Sequence, residues 1–162
     1  MNPDPSLLAD LARILDLETN AFIRYLVTAS EMDVRDDYDR RVLTFYQDSY
    51  RASEQSRRAV EELLEDADYH PFLSAWPLGY AQYNYLSPTY LLGAVIRFMS
   101  QSLAGIEEAA ARLSAWPRAR ELVTAILERE RPFLEKAREL ERDAPAAEVR
   151  PAELKGTSAS RW

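Results

Sequence analysis

Apolar residues recur every three or four positions along four long stretches of the chain, the spacing of helices that bury one face. Pro132 interrupts the last of these stretches and predicts a kink or a split near Arg131, because proline removes a helical hydrogen bond. The pattern predicts helices over residues 7–32, 38–67, 88–114 and 117–142.

The connections between these helices differ in length. The first and third are short, so the last two helices are predicted to be antiparallel neighbours. Residues 68–88 are rich in proline and aromatic residues and too apolar for a loose linker, so we expect an ordered crossover with one short helical turn. The chain is therefore predicted to be all-α. Residues 1–145 would form an antiparallel four-helix bundle with one long crossover between its second and third helices, and residues 146–162 a C-terminal tail.

Composition narrows the class of function. The chain has 162 residues, with 47% hydrophobic and 29% charged residues, which is typical of a globular domain. Its net charge of −7 argues against nucleic acid and anionic membranes as partners. The absence of cysteine excludes disulfides and thiolate chemistry and fits a cytoplasmic protein. Phosphate loops and dinucleotide fingerprints are also missing from the sequence.

Glu18 is the most informative residue in this pattern. It shares helical spacing with six side chains that are otherwise apolar or aromatic: Leu11, Ile14, Leu15, Phe22, Tyr25 and Ala29. Burial of a charge costs several kcal/mol unless the charge finds a partner such as a metal or a cation. We therefore expect Glu18 to belong to a site.

Two motifs carry a resemblance to a known family. Glu18, followed by a small residue at Ala21 and by Tyr25, resembles the first-helix motif of the rubrerythrin branch of the ferritin-like superfamily. Glu54 and Arg57 stand where that family's second helix carries Glu-x-x-His. The long crossover is also the connectivity of a ferritin-like bundle. The resemblance implies that Glu18 and Glu54 are carboxylate ligands and that Tyr25 lies nearby.

The chain departs from this pattern at the histidines. Arg57 replaces one of them, and the third helix offers Arg97 rather than an inward glutamate. A guanidinium supplies fixed positive charge and a bidentate fork for carboxylates. We therefore predict a structural polar core of Glu18, Glu54, Arg57, Arg97 and Tyr25, in which arginine takes the electrostatic role of the metal and no cofactor is bound.

Two alternatives remain open. A reduced metal site could use Glu18, Glu54 and Glu130 with His70 delivered from the crossover, to bind iron or manganese in a metal-binding protein or a di-metal oxidoreductase. The tyrosine-rich crossover could instead bind a small ligand, which predicts a cavity beside Tyr83 or Tyr85.

The leading interpretation is a non-catalytic ferritin-like binding or assembly module that forms a homo-oligomer. The tail ends in Arg161 and Trp162, two residue types that are frequent at interfaces. A docking segment for a protein partner is therefore one interpretation of the tail, and a disordered terminus, the more common case, is the other.

Overall fold

The computed structural model describes residues 3–146, and within that range it contains helices and no strand. The predicted all-α class is confirmed. Except for Ala146, the predicted tail lies outside the described residues. The α-helices, numbered in chain order, are α1 (Pro5–Thr19), α2 (Phe22–Thr28), α3 (Asp37–Asp66), α4 (Pro88–Arg112) and α5 (Pro117–Asp143).

The prediction of one helix over residues 7–32 is wrong, because the chain breaks between α1 and α2. Asn20 follows α1, and its Nδ2 donates hydrogen bonds to Asp16 Oδ1 and to the Ser74 carbonyl of the crossover, both at 3.1 Å. Short polar side chains of this kind compete with the helical ladder. Ala21 then adopts extended backbone with a ψ of 134°, so the helical path ends there and restarts in α2.

The other three helices begin and end within two residues of their predicted bounds. α3 and α4 both start at a side-chain cap: Asp36 accepts a hydrogen bond from the Asp39 N–H at 2.8 Å, and Ser87 accepts one from the Tyr90 N–H at 3.2 Å. Caps of this type satisfy backbone donors that the first helical turn leaves free.

Pro132 does not split α5, so of the two predicted outcomes, a kink or a split, the split is excluded. The helix is continuous from Pro117 to Asp143. Pro132 and Glu128 are both exposed. Because the Glu128 carbonyl is the group that loses its helical donor, its position at the surface lets water replace the missing hydrogen bond.

The crossover between α3 and α4 is ordered and contains a 3₁₀ helix at Leu78–Tyr83, as predicted. Two backbone hydrogen bonds tie it to the segment that follows α2. The Tyr85 N–H donates to the Glu31 carbonyl at 2.7 Å, and the Asp33 N–H donates to the Leu86 carbonyl at 3.0 Å.

None of the helices in residues 3–146 combines the length and hydrophobicity that a transmembrane span requires.

The core consists of two clusters of buried apolar side chains. The first cluster joins α1 to α3, α4 and α5 and includes Leu11, Ile14, Leu64, Ile106 and Ile126. The second surrounds α2 and the crossover and includes Phe22, Leu26, Tyr46, Leu91 and Leu140.

Candidate functional site

A small cavity lies where the two core clusters meet and is lined by residues from all five α-helices. Its volume is about 30 Å³, which is space for about two water-sized groups. The apolar lining residues are Leu17, Ala21, Phe22, Ile23, Val95, Phe98, Met99, Leu103 and Phe133. The polar lining residues are Glu18, Ser49, Ser53, Ser102 and Glu130.

Glu18 belongs to the last turn of α1, immediately before the break, and only 3% of its surface is exposed. Ser53 on α3 donates a hydrogen bond from Oγ to Glu18 Oε2 at 2.6 Å. Burial and the neighbouring carboxyl group of Glu130 raise the pKa of Glu18 well above its ordinary value. Glu18 therefore holds a proton more tightly than an exposed glutamate does.

Glu130 on α5 lines the same cavity as Glu18, and the electrostatic interaction of the two carboxyl groups contributes to the raised pKa of Glu18. The residue is half-buried, but its Oε1 atom is enclosed and has no hydrogen-bond partner among residues 3–146. Burial raises the pKa of Glu130, and the polar groups of Ser56 and Glu18 and the charge of Arg129 oppose that shift. We call Glu18 and Glu130 the carboxyl pair. Two adjacent buried carboxylates repel, so such a pair retains one proton.

Arg129 supplies positive charge beside the carboxyl pair. This half-buried residue donates a hydrogen bond from Nη1 to Ser56 Oγ at 3.0 Å. Its charge acts to lower the pKa of both carboxyl groups. A pair that holds one proton beside one guanidinium is electrically neutral as a unit.

No protein-family model, curated protein or solved structure matches this chain. The chemistry of the site therefore rests on the side chains that form it.

Glu54 lies in a second charged centre that does not line the cavity. Its carboxylate accepts hydrogen bonds from Arg24 at 2.8 Å, from Arg57 at 2.9 and 3.0 Å, and from Arg58 at 3.2 Å. The hydrogen bonds from Arg57 are the largest effect that lowers the pKa of Glu54, to about 2. Arg57 also pairs with Glu61 at 2.9 Å. We call these five residues the guanidinium cluster.

The predicted carboxylate–arginine core is thus divided between two places. Arg57 directs Nε and Nη2 at Glu54 and Nη1 at Glu61, so it does not pair with Glu18 as hypothesised. The positive charge near Glu18 comes from Arg129 instead.

Three other predicted site residues do not line the cavity. Arg97 is exposed and donates a hydrogen bond from Nη2 to the Tyr83 hydroxyl at 2.6 Å. Tyr25 is buried, and its hydroxyl donates to Asn84 Oδ1 at 2.8 Å. His70 is exposed on the crossover. The structure does not bring any of the three into contact with Glu18.

The prediction placed a cavity directly beside Tyr83 or Tyr85, but neither residue lines the observed cavity. Tyr85 is exposed, and Tyr83 packs behind the cavity wall, with its ring centroid 5.0 Å from that of Phe22 and 6.0 Å from that of Phe98. Phe22 and Phe98 themselves form the wall.

The predicted metal ligands are not assembled into one set. Glu18 and Glu130 meet, whereas Glu54 and His70 lie elsewhere. Within residues 3–146, no group of three or more acidic, histidine or cysteine side chains is placed to hold a metal ion. Within residues 3–146, iron or manganese would therefore find two carboxyl groups and no imidazole at this cavity.

Two residues of the site were not predicted in their observed roles. Ser53 carries the inward spacing of the second predicted helix, which is a signal for burial and not for a bond to Glu18. Arg129 alternates with acidic residues along the last helix, a pattern typical of a salt-bridged surface.

Proposed function

We propose that the chain is a non-catalytic binding module built on a ferritin-like four-helix bundle, with α1 and α2 together in the place of the first helix. In this module the carboxyl pair and Arg129 occupy the position of a metal centre. The long ordered crossover between α3 and α4 and the short link between α4 and α5 support this architecture. The lack of cysteine supports a cytoplasmic location.

The observation that carries the proposal is the way in which Glu18 is neutralised. Glu18 is buried against Glu130, Ser53 donates to it at 2.6 Å, and Arg129 supplies the nearby positive charge. A proton and one guanidinium thereby compensate two carboxyl groups. Because neither carries out redox chemistry, the carboxyl pair and Arg129 do not by themselves supply the electron transfer of a di-metal oxidoreductase.

Metal titration of the full-length protein, purified free of metal, tests this function. Addition of Fe(II), Mn(II) or Zn(II) is expected to shift the melting temperature by less than about 1 °C, because a ligand that does not bind the folded state does not stabilise it. A stoichiometric rise that disappears in Glu130→Gln would contradict the proposal and favour the alternative metal-binding protein. The exposed residue Glu128, two positions away on α5, provides the matched control Glu128→Gln.

Self-association stays a prediction of this function. Phe72 and Leu78 on the crossover are 98% and 96% exposed. Large apolar side chains that are exposed in this way are candidates for an interaction surface. Light scattering on the wild type and on Phe72→Ser/Leu78→Ser is expected to show an oligomer that the double variant weakens. A monomeric wild type would remove this part of the proposal.

A further inference from the structure

The cavity contains an acceptor that no described residue satisfies. Glu130 lines the cavity, and its enclosed Oε1 atom has no hydrogen-bond donor among residues 3–146. Buried polar atoms are nearly always paired, and an unpaired one costs free energy comparable to a lost hydrogen bond. Glu130 Oε1 can therefore accept a hydrogen bond from a donor inside the cavity.

The charges around the cavity determine what kind of donor it suits. The carboxyl pair, contributed by α1 and α5, carries the only ionisable groups among the described lining residues. α3 and α4 add the hydroxyl groups of Ser49, Ser53 and Ser102, while α2 contributes only apolar side chains. Arg129, which donates to Ser56, is the neighbouring cation. The cavity lining thus combines hydrogen-bond acceptors with hydrocarbon.

We propose that the cavity binds a small protonated amine whose ammonium group replaces the proton shared by Glu18 and Glu130, an assignment that rests on the proposed binding function. The cavity volume of about 30 Å³ limits the ligand to about two or three non-hydrogen atoms. Methylammonium and ethylammonium have this size and charge.

An ammonium group matches the acceptors better than a metal ion does. It carries three donors, which Glu130 Oε1, the Glu18 carboxylate and a serine hydroxyl can accept. It needs no fixed coordination number, whereas a metal ion would need more ligands than the carboxyl pair supplies.

The apolar wall suits the alkyl part of the amine. The rings of Phe22 and Phe98 lie 4.6 Å apart, centroid to centroid, and both line the cavity. Aromatic faces attract cations as well as alkyl groups. The lining residues Leu17, Ala21 and Phe98 are only half-buried. The ligand would therefore enter between the α1–α2 break and α4.

Isothermal titration calorimetry of the metal-free, full-length protein with methylammonium chloride at pH 7.5 tests the assignment. We expect saturable 1:1 binding. The measured enthalpy should differ between phosphate and Tris buffers because the amine displaces the proton that the carboxyl pair shares. Methanol, a neutral ligand of the same size, is expected not to bind, and tetramethylammonium is expected to be too large.

Two variants test whether methylammonium binding depends on Glu130. Glu130→Gln is expected to weaken methylammonium binding by about tenfold to hundredfold, because it removes a hydrogen bond to a charged group, and Glu128→Gln is expected to leave it unchanged. Equal binding of methanol, unchanged binding in Glu130→Gln or no binding of methylammonium would each overturn the assignment. If Glu130→Gln does not fold, the comparison with methanol and the proton release in the wild type decide.

Measurements on the same protein sample distinguish a failure of the amine assignment from a failure of the proposed function. Failure of methylammonium to bind, with no metal binding either, would remove the amine and leave the metal-free module in place. Stoichiometric binding of Fe(II) or Mn(II) that depends on Glu130 would instead contradict the proposed function itself.

Discussion

The carboxyl pair and the guanidinium cluster both contain glutamate, but the fold shifts the pKa of Glu18 and that of Glu54 in opposite directions. Ser53 and Glu54 are consecutive residues of α3, yet Ser53 bonds to the carboxyl pair and Glu54 belongs to the guanidinium cluster. Burial raises the pKa of Glu18, whereas hydrogen bonds from Arg57 help lower the pKa of Glu54 to about 2. The nature of the compensating partner, a proton or a guanidinium, accounts for the difference.

This contrast indicates which centre is available for binding. Glu54 accepts hydrogen bonds from three arginines, so its acceptor capacity is largely used within the protein. Glu130 keeps one enclosed oxygen that has no donor among residues 3–146. A site that satisfies itself stabilises the fold, and a site with a free acceptor can take a ligand.

Glu54→Gln is expected to have the largest effect on stability, a loss of about 2 kcal/mol at pH 7, because it leaves Arg24, Arg57 and Arg58 without their shared anion. Only 16% of the Glu54 side chain is exposed, so solvent screening does not remove this loss of stability. Urea unfolding followed by circular dichroism measures it, with the exposed Glu65→Gln on α3 as the control.

The effect of Glu54→Gln should also depend on pH. Because the pKa of Glu54 is lowered to about 2 in the folded protein, its contribution is present above about pH 4.5, the ordinary glutamate range, and is lost as the pH falls towards 2. A difference between variant and wild type that stays constant from pH 7 to pH 2.5 would contradict the assigned role of the guanidinium cluster.

Glu18→Gln is expected to act in the opposite direction and to stabilise the protein at alkaline pH, by about 1–2 kcal/mol, because it removes a buried charge. The pKa of Glu18 is raised in the folded state. Its favourable contribution is therefore complete below the ordinary glutamate pKa and is lost as the pH rises through the raised value. Thermal unfolding between pH 5 and pH 9 should show a smaller alkaline loss in the variant. Parallel curves for the two proteins would refute the buried, proton-holding role of Glu18.

Ser53→Ala is expected to cost about 1 kcal/mol, the usual value of one hydrogen bond, by removing the donor to Glu18 Oε2. It should also raise the pKa of Glu18 further, since the bond from Ser53 acts to lower it. The two effects are coupled, so a double-mutant cycle with Glu18→Gln measures their interaction. Strict additivity of the two variants would show that the bond from Ser53 does not act through the Glu18 charge.

Periodicity predicted α3, α4 and α5 well because each buries a long apolar face, and a cap or a proline marks the start of each. It failed at the α1–α2 break because Asn20 is held by Ser74, a residue 54 positions away along the chain. No local pattern records such a contact. The cation near Glu18 was missed for a similar reason. Arg57 and Arg129 both lie on long helices, and only the packing of α5 against α3 decides which of them approaches the carboxyl pair.

Arg97→Gln is expected to have the smallest effect, below about 0.5 kcal/mol, because exposed polar contacts contribute little to stability. The sequence pattern placed Arg97 in the polar core, whereas the structure exposes it and pairs its Nη2 atom with the Tyr83 hydroxyl at 2.6 Å. Urea unfolding at pH 7, with the same protocol as for Glu54→Gln, measures the difference. A loss as large as that of Glu54→Gln would mean that Arg97 compensates a buried carboxylate, and the division of charge between the carboxyl pair and the guanidinium cluster would then be incomplete.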